Sequence, residues 1–132
     1  MDVSEIILPG DTPGIEWRLP VMRFNGKDPA APKVYIQAAL HANELPGTAL
    51  VHFLCGKLRQ AESEGRIAGD ITLVPQANPV GAAQSHFGEL QGRFDLGSRT
   101  NFNRDFPLIS IRDRAELLDG SDNYPAIDRL KR

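Results

Sequence analysis

His41 and Glu44 stand three residues apart in His41-Ala42-Asn43-Glu44, and their side chains and spacing allow metal chemistry. If the turn joining them is helical, positions i and i+3 share one face. An imidazole and a carboxylate pointing the same way supply two of the three protein ligands of a catalytic zinc, whose remaining position holds water. A third ligand is not evident. The plainer alternative is a polar strand end, with His41 capping the next helix and Glu44 an ordinary first-turn acid. His52, with Cys55 at i+3, lies two turns beyond Glu44 and reads as a core or helix-face histidine beside a buried thiol. His86 repeats the spacing with Glu89, but Gly88 interrupts it and no strand precedes it. From its long loop, His86 is still a candidate ligand or substrate contact.

Three arginines add anion chemistry. In Asn101-Phe102-Asn103-Arg104-Asp105-Phe106-Pro107, the Arg104 fork suits a carboxylate and the neighbouring Asn103 amide can hold a second oxygen. The alternative is an Arg104–Asp105 pair on a solvated loop. In Gly88-Glu89-Leu90-Gln91-Gly92-Arg93-Phe94-Asp95-Leu96-Gly97-Ser98-Arg99, glycines permit close backbone approach, and Arg93 or Arg99 can stabilise an oxyanion. A plain surface loop is the competing reading. No G-x-S-x-G elbow, G-x-G-x-x-G turn or Walker sequence is present, so nucleophilic triads and nucleotide sites have no motif behind them.

These residues need elements to position them. Val34 to Leu40 is an apolar, β-branched run that reads as a buried strand ending on His41. Pro46 and Gly47 then open a helical pattern, with Leu50, Val51, Leu54 and Leu58 at helical spacing. The helix is expected from about Pro46 to about Glu64, stopping near Gly65. Asp70 to Pro75 reads as a second buried strand, so strand, helix and strand form a parallel βαβ unit. Ligands of open α/β sheets sit at the carboxyl ends of such strands, where His41 falls. Upstream, residues 1–15 read as an irregular entry segment, Ile15 to Arg23 as a short edge strand around Pro20, and Asn25-Gly26-Lys27-Asp28 as a turn. Downstream, Gln76 to Asn103 is a long Gly-, Asn-, Gln- and Ser-rich loop of the functional kind. Ile109 to Leu118 and Pro125 to Arg132 read as helical.

The chain has 132 residues, enough for one small domain with a real core at 41% hydrophobic content. Fifteen basic and seventeen acidic residues give a net charge of −2. That balance argues against nucleic acid or acidic membrane as a partner. A single cysteine, Cys55, excludes an intrachain disulfide and suits a cytoplasmic, reducing setting. The N-terminus lacks signal-peptide character, and no apolar run approaches the roughly 20 residues of a membrane span.

Taken together, His41-Ala42-Asn43-Glu44-Leu45-Pro46-Gly47, Gln76-Ala77-Asn78-Pro79-Val80-Gly81, Gly92-Arg93-Phe94-Asp95-Leu96 and the Asn101–Pro107 segment resemble the succinylglutamate desuccinylase/aspartoacylase family. That family is a branch of the zinc carboxypeptidase superfamily. The resemblance implies an α/β fold with a mixed, largely parallel sheet flanked by helices and one zinc at the strand ends. By position, His41 and Glu44 match the first two zinc ligands, and Asn103 and Arg104 match the pair gripping the substrate carboxylate. Arg93 matches the arginine polarising the scissile carbonyl, with Arg99 as the alternative, and Asn78 lines the pocket in support.

The family's third ligand, a histidine, and its catalytic glutamate lie further downstream, and no histidine follows residue 86. Glu116, Asp119 and Asp122 do not match the catalytic position. The resemblance thus implies that residues 1–132 are a single domain, the N-terminal portion of a zinc-hydrolase catalytic domain, truncated relative to the family. The implied activity is hydrolysis of an amide next to a carboxylate, in N-acyl amino acids or at C-terminal peptide ends, with little turnover by this chain alone. The rival expectation is a shortened, non-catalytic relative acting as a carboxylate-binding or assembly module, with an exposed sheet edge that favours homo-oligomers.

Overall fold

The computed structural model describes residues 1–106. The expected helices at Ile109–Leu118 and Pro125–Arg132, and the carboxylates Glu116, Asp119 and Asp122, lie outside them. The chain runs β1 (Asp2–Pro9), β2 (Glu16–Phe24), β3 (Val34–Gln37), α1 (Leu45–Ser63), β4 (Ile71–Val74), α2 (Pro79–Ala82), β5 (Ser85–His86) and β6 (Glu89–Leu90). The first four strands form one sheet in the order β1-β2-β4-β3, and β5 and β6 form a small hairpin.

The entry segment is a strand, not an irregular lead-in. β1 pairs antiparallel with β2 along its whole length, from Asp2 opposite Arg23 to Pro9 opposite Glu16. The hairpin closes through Gly10 N–H to Ile15 O at 2.8 Å, with Gly14 at φ 85°. β2 is correspondingly not a short edge strand. It spans nine residues and lies between β1 and β4. Pro20 sits within it opposite Glu5 and withholds one donor without ending the strand.

The parallel βαβ unit is present: β3 pairs parallel with β4, and α1 connects them. The sheet is mixed, but "largely parallel" does not describe it. Among the described residues, β1·β2 and β2·β4 are antiparallel and only β3·β4 is parallel. The tight β1–β2 turn accounts for the first of these pairs, since a short connection can join only antiparallel neighbours. β3 is also shorter and more open than a buried strand. It is the outer strand of the described sheet, leaving Val34 and Tyr35 exposed.

α1 begins at Leu45 with Pro46 in its first turn and ends at Ser63, capped by Glu64 and followed by Gly65 at φ 69°. That matches the expected bounds to within a residue. Val51 and Cys55, one turn apart, enter the core with Phe24, Ala38, Ile67 and Leu73, and Leu54 and Leu58 pack against it. Leu50 departs from the expected stripe and faces solvent, because the buried face follows Val51 and Cys55. Cys55 is a buried free thiol and His52 an exposed helix-face residue, as anticipated. The Thr48 hydroxyl donates to Pro75 O at 3.0 Å, tying the first turn of α1 to the end of β4.

Candidate metal centre

The turn after β3 places the first two site residues. Ala38 N–H still donates to Val74 O, and Ala38 O accepts from Ala77 N–H, both within 2.9 Å. Ala39 then takes φ 58°, a left-handed conformation that costs an L-residue about 1 kcal/mol or more. The chain bends off the sheet and delivers His41 into a buried position, 4% exposed. Glu44 N–H donates to His41 O at 3.0 Å, closing the turn, and Glu44 becomes the residue before the first turn of α1. Its carboxylate does not cap the helix.

His41 Nδ1 lies 3.1 Å from Glu44 Oε1. Ligands about 2.0–2.1 Å from a tetrahedral zinc are separated by about 3.3 Å. The observed pair therefore has nearly the edge length of such a site, and the imidazole-plus-carboxylate donor set fits zinc. His41 does not cap α1. Its Nε2 is instead 2.8 Å from Asn101 Oδ1.

Arg93 reaches the same carboxylate oxygen: its guanidinium hydrogen-bonds Glu44 Oε1. Loop docking makes that contact. Gly92 O accepts from Ala42 N–H at 2.8 Å. A Cβ on Gly92 would lie 2.4 Å from Asn43 N, so only glycine fits this approach. Beyond Arg93 the chain doubles back, with Phe94 bridged to Asn101, Phe102 N–H on Arg93 O and Asp95 N–H on Thr100 O. The Asp95 carboxyl is held below its ordinary range by the Ser98 hydroxyl and backbone N–H. Arg99 occupies the tip of this turn at φ 64°, without an ion pair among the described residues. Of the two arginines, Arg93 is the one brought to His41 and Glu44.

The other expected residues divide. Asn78 is buried with both ends of its amide in use: Nδ2 donates to Leu40 O and Oδ1 accepts from Gly81 N–H, each at 2.8 Å. It braces the His41 turn from below. Phe102 lies against Gly81, joining that brace to the arginine loop. Asn103 is drawn in through its backbone, its N–H donating to Asn101 Oδ1 at 2.9 Å. Arg104 is exposed and donates to Asn103 O at 2.6 Å rather than pairing with Asp105. His86 sits on the exposed β5 against the Phe87 ring. It is not gathered with His41 and Glu44, and among the described residues no three His, Cys, Asp or Glu side chains form a metal cluster. A cleft lined by Arg23, Lys33, Val34, Tyr35 and Asp70 lies at the amino ends of β3 and β4, the end away from His41.

Two contributors escaped the sequence: Asn101 on His41, and Gly92 against Ala42. Asn101 heads a noticed motif, but nothing local shows that its amide faces a histidine 60 residues earlier. The glycine signal at Gly92 was visible, though its partner was not.

Residues 30–129 match the succinylglutamate desuccinylase/aspartoacylase catalytic domain. A crystal structure of a protein assigned to that family from Shewanella amazonensis SB2B is 36% identical, with a TM-score of 0.72 over 83% of this chain and 29% of the other. A counterpart from Shewanella frigidimarina NCIMB 400 is 33% identical, with a TM-score of 0.73 over 86% of this chain and 30% of the other. This chain therefore spans about three-tenths of the length of the structures it matches. Comparison with curated proteins gives no match.

Proposed function

Because the chain belongs to the succinylglutamate desuccinylase/aspartoacylase family, we propose that its intact protein is a zinc-dependent amidohydrolase acting next to a carboxylate. Its substrates on this reading are N-acyl amino acids or carboxypeptidase-type C-terminal ends. One observation carries the proposal: His41 Nδ1 and Glu44 Oε1 meet at 3.1 Å at the carboxyl end of β3, with the Arg93 guanidinium on the same carboxylate.

His41 and Glu44 would hold the zinc, which when bound polarises water and a carbonyl oxygen. Arg93 has five N–H donors, so one bond to Glu44 leaves others for the oxygen of a scissile carbonyl. Arg104, exposed beside Asn103, would anchor the substrate carboxylate, with Asn103 holding its second oxygen. Asn78 keeps the His41 turn in place. The 132-residue chain alone is expected to turn over poorly, since His41 and Glu44 lack a third ligand among the described residues. Among those residues no helix is long and apolar enough to cross a membrane, and a cytoplasmic setting is proposed from the single free thiol.

A second reading, a carboxylate-binding or assembly module, is favoured by the outer position of β3 and by the exposed Leu45, Leu50 and Phe53 of α1. The deciding experiment is zinc per protomer in dialysed intact protein, beside His41→Ala and Glu44→Gln, with hydrolysis of N-acyl amino acids in parallel. About one zinc, lost in both variants together with hydrolysis, supports the enzyme. A folded protein without zinc or turnover supports the module.

A further inference from the structure

We propose that Asn25 is a modification site: Asn25–Gly26 is poised to deamidate to isoaspartate, and Asp70 keeps it intact by holding the Gly26 N–H. The site lies at the amino ends of β3 and β4, away from His41, and is independent of the metal-centre reading.

Asparagine followed by glycine is among the most labile pairs in proteins, because glycine has no Cβ to shield its nitrogen. Hydroxide takes the Gly26 N–H proton, and the nitrogen attacks Asn25 Cγ. A five-membered succinimide closes as the bond from Cγ to Nδ2 breaks, and Nδ2 picks up a proton and leaves as ammonia. Water then opens the ring at either carbonyl, giving aspartate or, with the main chain rerouted through the side chain, isoaspartate. Water is the only co-reactant. A cleft of about 310 Å³ lined by Asn25, Lys33, Tyr35 and Asp70 admits it.

In the folded chain the first step is opposed at its proton. Gly26 N–H donates to Asp70 Oδ1 at 3.0 Å. Removing that proton would set an amide anion against a carboxylate and forfeit a charge-assisted hydrogen bond. Asp70 is a poor base for the step itself, because its carboxyl is held below the ordinary range by the Gly26 N–H first and then by Lys33 at 3.2 Å. The Asn25 carboxamide is tethered to β1, with Nδ2 donating to Asp2 Oδ2 at 2.7 Å. Gly26 is also closely packed: a Cβ there would lie 2.1 Å from Ala68 O and 2.4 Å from the Gly69 carbonyl carbon. The same crowding makes the product disruptive. Isoaspartate adds a methylene to the main chain, displacing Lys27 N–H from Ile67 O and Asp28 N–H from Ala68 O, and it sets a new carboxylate beside Asp2.

The test incubates the intact protein in mildly alkaline buffer and follows conversion of Asn25 by peptide mass spectrometry, with isoaspartate and aspartate separated by chromatography. Wild type is followed both folded and in urea, beside folded Asp70→Ala and Lys33→Met. Lys33→Met removes the other partner of Asp70 and leaves the Gly26 bond, so it reports the effect of lost stability alone. The expected result is an intact Asn25 in folded wild type and in Lys33→Met, and isoaspartate accumulating in urea. Folded Asp70→Ala should convert about 5- to 30-fold faster than folded wild type. Folded wild type reacting as fast as the unfolded chain overturns the proposal, as does Asp70→Ala no faster than wild type or matched by Lys33→Met. If Asp70→Ala does not fold, hydrogen exchange at the Gly26 amide of wild type decides, because exchange removes the same proton. A protected amide supports the proposal, and exchange at the unprotected rate overturns it.

Discussion

Gly92→Ala tests whether the arginine loop is set by backbone contact with the His41 turn. The new Cβ would sit 2.4 Å from Asn43 N, 2.8 Å from the Ala42 carbonyl carbon and 2.8 Å from Ala42 Cβ, where ordinary contact begins at 3.4 Å. Two of those neighbours are backbone, so no side chain can swing away. Relief requires the segments to part by about 1 Å, which breaks the 2.8 Å bond from Ala42 N–H to Gly92 O. Ala42 is 2% exposed, so its N–H would be left without water or partner. Overpacking costs about 1–3 kcal/mol and the orphaned donor about 1–3 kcal/mol more. Against roughly 2–6 kcal/mol, undocking of the loop is the expected response. Arg93 then leaves Glu44, and on the proposed reading of Arg93 as an oxyanion donor its loss lowers kcat by about 100- to 1,000-fold. The assay is kcat/KM of the intact protein on N-acyl amino acids, with thermal denaturation run alongside. A Gly92→Ala enzyme within about threefold of wild type and with an unchanged melting temperature would refute the reasoning.

Two further outcomes concern the scaffold. Asp70 is held below its ordinary range by the Gly26 N–H first and then by Lys33. A depressed folded pKa stabilises above the unfolded value, about 3.9, and that contribution disappears as pH falls through the folded value. Asp70→Asn should therefore lower stability at neutral pH and make no difference in strong acid; equal denaturation midpoints at pH 7 would contradict the assignment. Leu73, fully buried at the centre of the core cluster, should cost about 2–5 kcal/mol on Leu73→Ala in a urea titration, and a loss under about 1 kcal/mol would mean the cluster is not the core.

Legibility followed sequence distance. α1 could be bounded closely because Pro46 and Gly65 punctuate it locally, and the His41–Glu44 pair could be found because a three-residue turn joins them. β1 escapes a sequence reading because Pro9-Gly10 and Pro13-Gly14 break up residues 1–15 and its side chains stay exposed. Its stability comes from pairing with β2, not from a hydrophobic face. The left-handed Ala39 had no signal at all, since an alanine does not announce a positive φ as a glycine does. Arg93 was singled out from its loop, but its place on Glu44 depends on Gly92 meeting Ala42, a contact between distant segments.

The same separation sets an order of assembly. His41 and Glu44 are three residues apart, whereas Arg93 meets Glu44 across 49 residues and Asn101 meets His41 across 60. Closing the longest of these loops costs roughly 2.7 kcal/mol more than closing the shortest, by the logarithmic scaling of loop entropy. The turn bearing the histidine and glutamate is therefore expected to form with β3 and α1 while residues 92–101 are still unplaced, or still unsynthesised on the ribosome. On that order the pair passes through a stage in which it faces solvent, and the loop bearing Gly92 and Arg93 closes over it later.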